Sequence, residues 1–386
     1  MIMAKILFVN LPYLGHVIPT LGVVEELVKR GHSVDYISTT LCKDRIEAAG
    51  ATLIPYYKRP NVPLNTDYQI CYESYITAKR IIHNYDLFIY EMGQYLCQTL
   101  AEECQIPVVR ICHFGFSDKV VAKFLKTAKN FWIFKFWIFR KALDMYMGKK
   151  NVKIQEKYFY DEIARHYPEI NIVHTVESFQ LYREDFDERF YFVGPNINHP
   201  HRTNDCTIPY DLMNNPIIYI SMGTVWPVKA LLDKAVEAFK GRNVHVIVSM
   251  GQCEQQIDTA SLPENFFAYK FVPQIDVLRK ASLFITHAGM GSVNESLYFG
   301  VPMLMSPVAS DQPMVAERVE ELNLGKRINL KKITPSELCE LAFSVMQNDE
   351  IRSNLKKMQQ DMHAAGGAVR AADIIEEKAL KTIYKG

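Results

Sequence analysis

The chain has 386 residues, enough for two to three domains of ordinary size. Its 44 Lys and Arg against 43 Asp and Glu leave a formal net charge of +1, which offers no extended basic surface for nucleic acid. A hydrophobic fraction of 48% with 23% charged residues excludes long disorder, and no apolar run reaches the ~18 residues of a spanning helix.

Residues 6–9 form a nearly continuous apolar run, the pattern of a strand covered on both faces. A loop with Pro12 and Gly15 follows. Apolar residues at 17, 21, 24 and 28 then fall at helical spacing, with Pro19 in the first turn and Gly31 as the stop. Residues 34–37 begin the next strand, completing a βαβ unit, which implies a parallel sheet with helices on both faces. Strands at 86–91, ending in Glu91, and at 107–112 come next. A helical region dense in aromatics covers 117–165, and Val173 and residues 192–193 close the first domain. Residues 194–209 are polar and proline-rich without periodicity and mark a linker. The βα alternation restarts with strands at 217–221, 244–249, 268–270, 283–286 and 302–305. Thr334, Pro335 and Glu337 make a capping box that opens a helix to about Gln347. The pattern is two doubly wound α/β domains in series. Open parallel sheets bind ligands beyond the carboxyl ends of their strands, so the expected site is a cleft where the two sheets face each other. His16, Glu91 and the run 287–295 all sit at predicted strand ends.

The eight cysteines include no CxxC pair and read as reduced, mostly buried thiols of a cytoplasmic protein, not as a disulfide framework or zinc site. The N-terminus lacks the basic start and cleavage site of a signal peptide.

The segment 286–295 runs from a strand through Gly289 and Gly291 into a helix. Glycines permit close backbone approach, and a helix start presents unpaired N–H donors and partial positive charge, the equipment of a phosphate site. His287 adds a donor. Ser292 and Glu295 also fit a capping box, which needs no ligand. A nicotinamide fingerprint would want glycine where Asn294 stands. Phe271, Val272, Pro273 and Gln274 either hold a planar base or make an ordinary βα loop. Asp311 is either an N-cap or, with Gln312, a grip on sugar hydroxyls. Ser221, Gly223 and Thr224 are either plain turn chemistry or hydroxyls facing phosphate. His16 just before a helix start is disfavoured as imidazolium, and Glu91 at a neighbouring strand end could orient it. His32, His83 and His113 lack comparable context and read as core or surface residues.

Together and in this order, these pieces resemble the macrolide-type branch of the family 1 UDP-sugar glycosyltransferases. Gly15, His16 and Pro19 match that family's G-H-x-x-P start, residues 271–312 match its donor signature, and residues 365–373 look like its last turn and helix. The resemblance implies a GT-B fold: an acceptor-binding Rossmann-like domain at 1–195, a linker at 196–215, a nucleotide-sugar domain at 216–365, and a C-terminal helix at 366–386 packing back on the first domain. It implies inverting, metal-free transfer of a hexose such as glucose from a UDP-sugar, which is a co-substrate and not a cofactor, to a hydroxyl of a small hydrophobic acceptor. His16 would be the base, with Glu91 as its partner. Val272 and Gln274 would address uracil, and Glu295 the ribose. His287, Gly289, Gly291, Ser292, Ser221 and Thr224 would take the pyrophosphate, and Asp311 and Gln312 the sugar. The implied assembly is a monomer or dimer.

Two departures stand out. Phe271 replaces the family's tryptophan, and Glu91 replaces its aspartate, shifting the carboxylate by about 1.5 Å. A displacement of that size costs of order a hundredfold in rate unless the backbone compensates. The run 131–139 holds six aromatics in nine residues. It is a buried helix, an acceptor-pocket wall, or a membrane-surface contact. The competing functions are glycolipid glycosylation at a membrane surface, sugar-nucleotide binding with little transfer, and nicotinamide-dependent oxidoreduction.

Overall fold

The computed structural model describes residues 3–56, 67–127, 156, 159–197, 206–224 and 226–381. The chain divides into two compact units, Met1–His201 with Ala365–Gly386, and Arg202–Ala364. The aromatic run 131–139 and positions 198–205 of the linker region lie outside the described residues.

In the first unit, seven parallel strands are ordered β3-β2-β1-β4-β5-β6-β7. They are β1 (Lys5–Val9), β2 (Ser33–Ser38), β3 (Thr52–Pro55), β4 (Leu87–Glu91), β5 (Val108–Cys112), β6 (Asn171–Val173) and β7 (Phe190–Phe192). Among the described residues its helices are α1 (Leu14–Lys29), α2 (Lys43–Ala48), α3 (Asp67–Ile81), α4 (Leu96–Cys104), α5 (Asp118–Thr127) and α6 (Phe159–Arg165). The unbroken apolar character of β1 and β4 follows from their place: Ile6, Phe8, Val9, Leu87 and Ile89 are wholly buried in the middle of the sheet. The second unit has six parallel strands ordered β10-β9-β8-β11-β12-β13: β8 (Ile217–Ser221), β9 (His245–Ser249), β10 (Phe266–Tyr269), β11 (Ala281–Thr286), β12 (Met303–Met305) and β13 (Gly325–Arg327). Its helices are α7 (Lys229–Phe239), α8 (Gln274–Leu278), α9 (Met290–Tyr298), α10 (Gln312–Glu321), α11 (Pro335–Gln347) and α12 (Asp349–Ala364). The capping box at Thr334 is formed as the sequence predicts.

Three local readings need correction. Helix α1 begins at Leu14, so His16 lies within its first turn and not before it, and Pro19 lies in the second turn. Ser292 and Glu295 do not cap α9: its N-cap is Gly289, and Ser292 is already the third helical residue. The helix that the βα alternation implies over 276–281 runs instead over Gln274–Leu278, because β11 already starts at Ala281.

The chain closes with α13 (Gly367–Ile374), continued by a π-helical turn over Ile375–Leu380, packed on α1 of the first unit. Small residues permit the approach. A Cβ built on Gly22 would fall 3.1 Å from the Asn196 Cβ and 3.4 Å from the Ala368 Cβ. Arg30 locks the pair, its Nη1 donating to Asp373 (2.8 Å) and Glu376 (2.7 Å) and its Nε to Glu26 (2.9 Å). His32 Nε2 adds a contact to Glu376 at 3.0 Å. The Arg30 side chain is only 16% exposed, so burial costs it solvation, but the carboxylates outweigh that and hold it charged. Arg30→Met should destabilise the first unit by about 1–2 kcal/mol, between surface and buried ion-pair values. That is a drop of roughly 2–8 °C in melting temperature, measurable by calorimetry.

Candidate active site

The first unit gathers its polar chemistry at the carboxyl ends of β1, β4, β5 and β6. Asn10, just past β1, is fully buried and donates through Nδ2 to the backbone oxygen of His16 (2.9 Å) and to the Tyr36 hydroxyl (2.8 Å). The Tyr36 and Thr20 hydroxyls lie 2.9 Å apart, and Thr20 donates to Val17 O (2.8 Å). This buried network ties the first turn of α1, which carries His16, to the end of the sheet. Glu91, the last residue of β4, is wholly buried with its Oε2 3.3 Å from His16 Nδ1. The same oxygen accepts the Gly93 N–H at 3.1 Å. Burial pushes the Glu91 carboxyl up, but His16, His113 and the Gly93 N–H together hold it below the usual carboxylate range. The structure therefore brings His16 and Glu91 together.

It also gathers His113, which the sequence places only as a core or surface residue. His113 follows the last residue of β5 and packs edge-on against the His16 ring, centroids 5.0 Å apart. Its Nε2 is 3.7 Å from Glu91 Oε1. Burial, reinforced by His16, pushes its pKa down to about 4, so the ring is neutral. The rule that singled out Glu91, chemistry at a strand's carboxyl end, would have found His113 had it been applied to the strand at 107–112.

In the second unit, Ser249, Ser221 and Thr286 lie side by side at the ends of β9, β8 and β11. Ser221 Oγ accepts the Gly223 N–H at 3.2 Å, and Thr224 is half-buried in the same turn. The His287 ring fills the space beside two glycines. A Cβ on Gly223 would fall 2.8 Å from His287 Cε1, and one on Gly289 would fall 2.5 Å from its Nε2. Desolvation pushes His287 down to about 4, leaving a neutral ring. The first intrahelical bond of α9 runs from Val293 N–H to Gly289 O (3.0 Å). The N–H groups of Met290, Gly291 and Ser292 precede it, and among the described residues nothing comes within 4 Å of a Cβ built on Gly291. Here a helix start is left open to an anion.

Gln274 opens α8 and gathers three partners. Its Nε2 donates to Glu295 Oε2 (2.6 Å) and Ser292 Oγ (3.3 Å), and its Oε1 accepts the Tyr219 hydroxyl (2.9 Å). Tyr219 is a further residue that the sequence reading missed. Val272 is buried, while Phe271 is 39% exposed. Asp311 holds the N-cap position of α10 without a side-chain capping bond. Gln312 is buried, and its Oε1 accepts the N–H groups of Val308 (2.8 Å) and Ala309 (3.1 Å), so that end of the amide fixes its own loop. A separate cavity of about 540 Å³ opens by the amino end of β5, lined by Gln98, Pro107, Tyr167 and Lys378 among others, and includes none of these residues.

Residues 215–365 match the family model described as UDP-glucoronosyl and UDP-glucosyl transferase. The chain is 31% identical over 393 residues to NDP-glycosyltransferase YjiC of Bacillus subtilis (strain 168), covering 95% of each. Among solved structures it resembles CalG4, the calicheamicin glycosyltransferase, at 28% identity and a TM-score of 0.78, covering 97% of this chain and 98% of that one. It also resembles the glycotransferase of kitacinnamycin at 26% identity and a TM-score of 0.82, covering 98% and 100%.

Two predictions follow from the geometry. A Cβ on Gly93 would fall 2.5 Å from Leu11 Cδ1 and 3.0 Å from Glu91 Oε2. Gly93→Ala should therefore displace the carboxylate and lower turnover by roughly tenfold or more, with the donor KM little changed in steady-state kinetics. The second concerns acid stability. His174, fully buried after β6, is pushed down to about 3 by burial, with His113 adding to the effect, and His287 to about 4. Both are neutral in the folded state, whereas the unfolded chain takes up their protons below about pH 6.5. Their contribution is complete above that pH and is lost as pH falls toward their folded values. The melting temperature should decline progressively from about pH 6.5 to 4, and His174→Gln should flatten the decline.

Proposed function

The chain belongs to the UDP-glucoronosyl and UDP-glucosyl transferase family and is a glycosyltransferase of the GT-B fold, and from that premise we propose that it moves a hexose, glucose or a close relative, from a UDP-sugar to a hydroxyl of a small hydrophobic acceptor, with inversion and without a metal on the diphosphate. The observation that carries this reading is the buried Glu91 carboxylate 3.3 Å from His16 Nδ1. A carboxylate there keeps the ring proton on Nδ1 and leaves the Nε2 lone pair to accept a proton. The His16 side chain is 33% exposed, so an acceptor hydroxyl can reach it.

In the proposed reaction Nε2 takes the hydroxyl proton while the oxygen bonds to the anomeric carbon. The bond from that carbon to the diphosphate oxygen breaks, and the electron pair leaves with UDP. Glu91 stabilises the imidazolium that forms. The charge on the leaving diphosphate meets the N–H groups at the start of α9, with His287, Ser221 and Thr224 as further donors. Gln274, Glu295 and Phe271 address the nucleoside, and the Asp311 carboxylate and Gln312 amide nitrogen address the sugar. A natural-product acceptor is supported by the two solved relatives, which carry calicheamicin and kitacinnamycin in their names. The free state of all eight cysteines supports a cytoplasmic setting.

UDP release measured across several UDP-sugars with a mixed phenolic and macrolide acceptor set, with products identified by mass spectrometry, tests the activity. His16→Ala should lower kcat by about 10²–10⁴, while UDP binding by calorimetry stays near the wild-type value. Glu91→Ala should fall at least about a hundredfold, with Glu91→Asp intermediate. Undiminished turnover in both alanine variants would sink the reading.

A further inference from the structure

Only one oxygen of the buried Glu91 carboxylate is fully engaged. Oε2 faces His16 Nδ1 and accepts the Gly93 N–H. Oε1 has no hydrogen-bond donor among the described residues, and His113 Nε2 has no hydrogen-bond partner there either. These two buried atoms face each other at 3.7 Å. That gap exceeds the ~2.7–3.2 Å of a direct hydrogen bond. A water bridging the two at ordinary hydrogen-bond lengths would have to sit off the line with its partners only about 80° apart, far below the tetrahedral angle. A metal ion bonded at about 2.0–2.2 Å to each donor in tetrahedral geometry sets the donors roughly 3.3–3.6 Å apart. The separations of 3.3 Å from His16 Nδ1 to Oε2 and 3.7 Å from His113 Nε2 to Oε1 lie at and just beyond that edge, one on each carboxylate oxygen. One ligand atom from each of His16, Glu91 and His113 can be chosen so that all lie within 4.8 Å of one another.

We propose that His16 Nδ1, the Glu91 carboxylate and His113 Nε2 form a three-ligand site for a divalent transition ion of the zinc type, and that its occupation inhibits sugar transfer. Two imidazoles and one carboxylate form a borderline donor set that suits Zn²⁺ and its neighbours, while Mg²⁺ and Ca²⁺ prefer oxygen alone. The exposed side of His16 gives access and leaves the fourth position to water. When Nδ1 takes the ion, the ring proton of His16 relocates to Nε2, and the nitrogen that would accept the hydroxyl proton becomes a donor. The binding stands on geometry alone, whereas the inhibition rests on His16 being the base.

The test uses the full chain, stripped with EDTA and titrated with Co²⁺ while its visible absorption is followed. One ion per chain should bind, with the intense d–d bands of a four- or five-coordinate site, and Zn²⁺ should displace it. His113→Gln, Glu91→Gln and His16→Gln should each weaken Co²⁺ binding by at least about tenfold, with circular dichroism confirming the fold of each. Zn²⁺ should suppress UDP release by the wild type, EDTA should restore it, and the suppression should weaken in step with Co²⁺ affinity in His113→Gln. Absence of bound Co²⁺, or binding equally strong in all three variants and so held by surface histidines, overturns the site. An ion bound at these ligands with unimpeded UDP release overturns the inhibition, and with it the role of His16 as base. A chain that transfers no sugar under any condition fails the functional reading, but the Co²⁺ titration still decides the site.

Discussion

Parallel strand pairing is the constraint on which the chemistry of both units depends. Every strand in each sheet leaves at the same edge, so whatever follows a strand is delivered to one line of loops. Both sheets reverse direction in the same way. In the first unit β1 sits beside β4, and in the second β8 sits beside β11, with strand order running outward on either side. At such a reversal the connecting helices diverge to opposite faces and leave a crevice. His16 follows β1 and Glu91 ends β4, while the turn begun by Ser221 closes β8 and His287 follows β11. The same geometric consequence of topology thus supplies a histidine–carboxylate pair in one unit and an open helix start in the other.

Topology delivers residues to an edge, but it does not hold a charge there. An ionised carboxylate without partners inside a protein costs several kcal/mol. Glu91 remains below the usual carboxylate range only because two imidazoles and a backbone N–H surround it. The extra methylene relative to aspartate has a structural context. It carries the carboxylate far enough for Oε2 to meet both His16 and Gly93 while Oε1 reaches toward His113. Gly93 is required because a side chain there would occupy the space of Leu11 and the carboxylate. On the other side of the dyad, Asn10 fixes the turn of α1 through the backbone of His16, leaving the ring free of that anchoring.

Much of this arrangement was legible in the chain. The central strands announced themselves because burial on both faces demands unbroken apolar runs, as in Ile6–Val9 and Leu87–Ile89. Glu91 stood out as a carboxylate at the end of such a run. The less legible features share a cause: their signals were weak locally and were set by packing. Helix α1 starts after Tyr13, whose side chain makes no capping bond, so the first turn carried no residue-type marker. Ser292 and Glu295 have the spacing of a cap, yet they turn to Gln274 because Tyr219 and the end of β10 bring that amide into reach. The edge strand Gly325–Arg327 is three residues long and two of them are exposed, too little for any periodicity to show. His113 was hidden by its type, since one histidine among eleven carries no meaning until the neighbouring strand end is known to hold a carboxylate.

The second unit builds its anion-ready turn by a different expenditure. Ala288 and Ser310, one in each of the loops leading into α9 and α10, have φ values of 65° and 58°, a conformation disfavoured for side chains other than glycine. Each such residue stores of order 1–3 kcal/mol and persists only where the surroundings impose it. At Ala288 the imposition is visible. Its side chain is fully buried, its N–H donates to Thr286 Oγ1 at 3.4 Å, and the adjoining His287 ring is confined beside Gly223 and Gly289. A relaxed backbone would swing His287 out of that slot and turn the first N–H groups of α9 away from the strand ends. At Ser310 the clamp is Gln312, whose side-chain oxygen gathers the two preceding N–H groups of Val308 and Ala309. In both loops the strained residue lies two positions before the helix, where it sets the direction in which the helix start points. Strain next to a helix N-terminus is thus the means by which a sheet edge, otherwise a neutral row of Ser249, Ser221 and Thr286, acquires a directed set of donors.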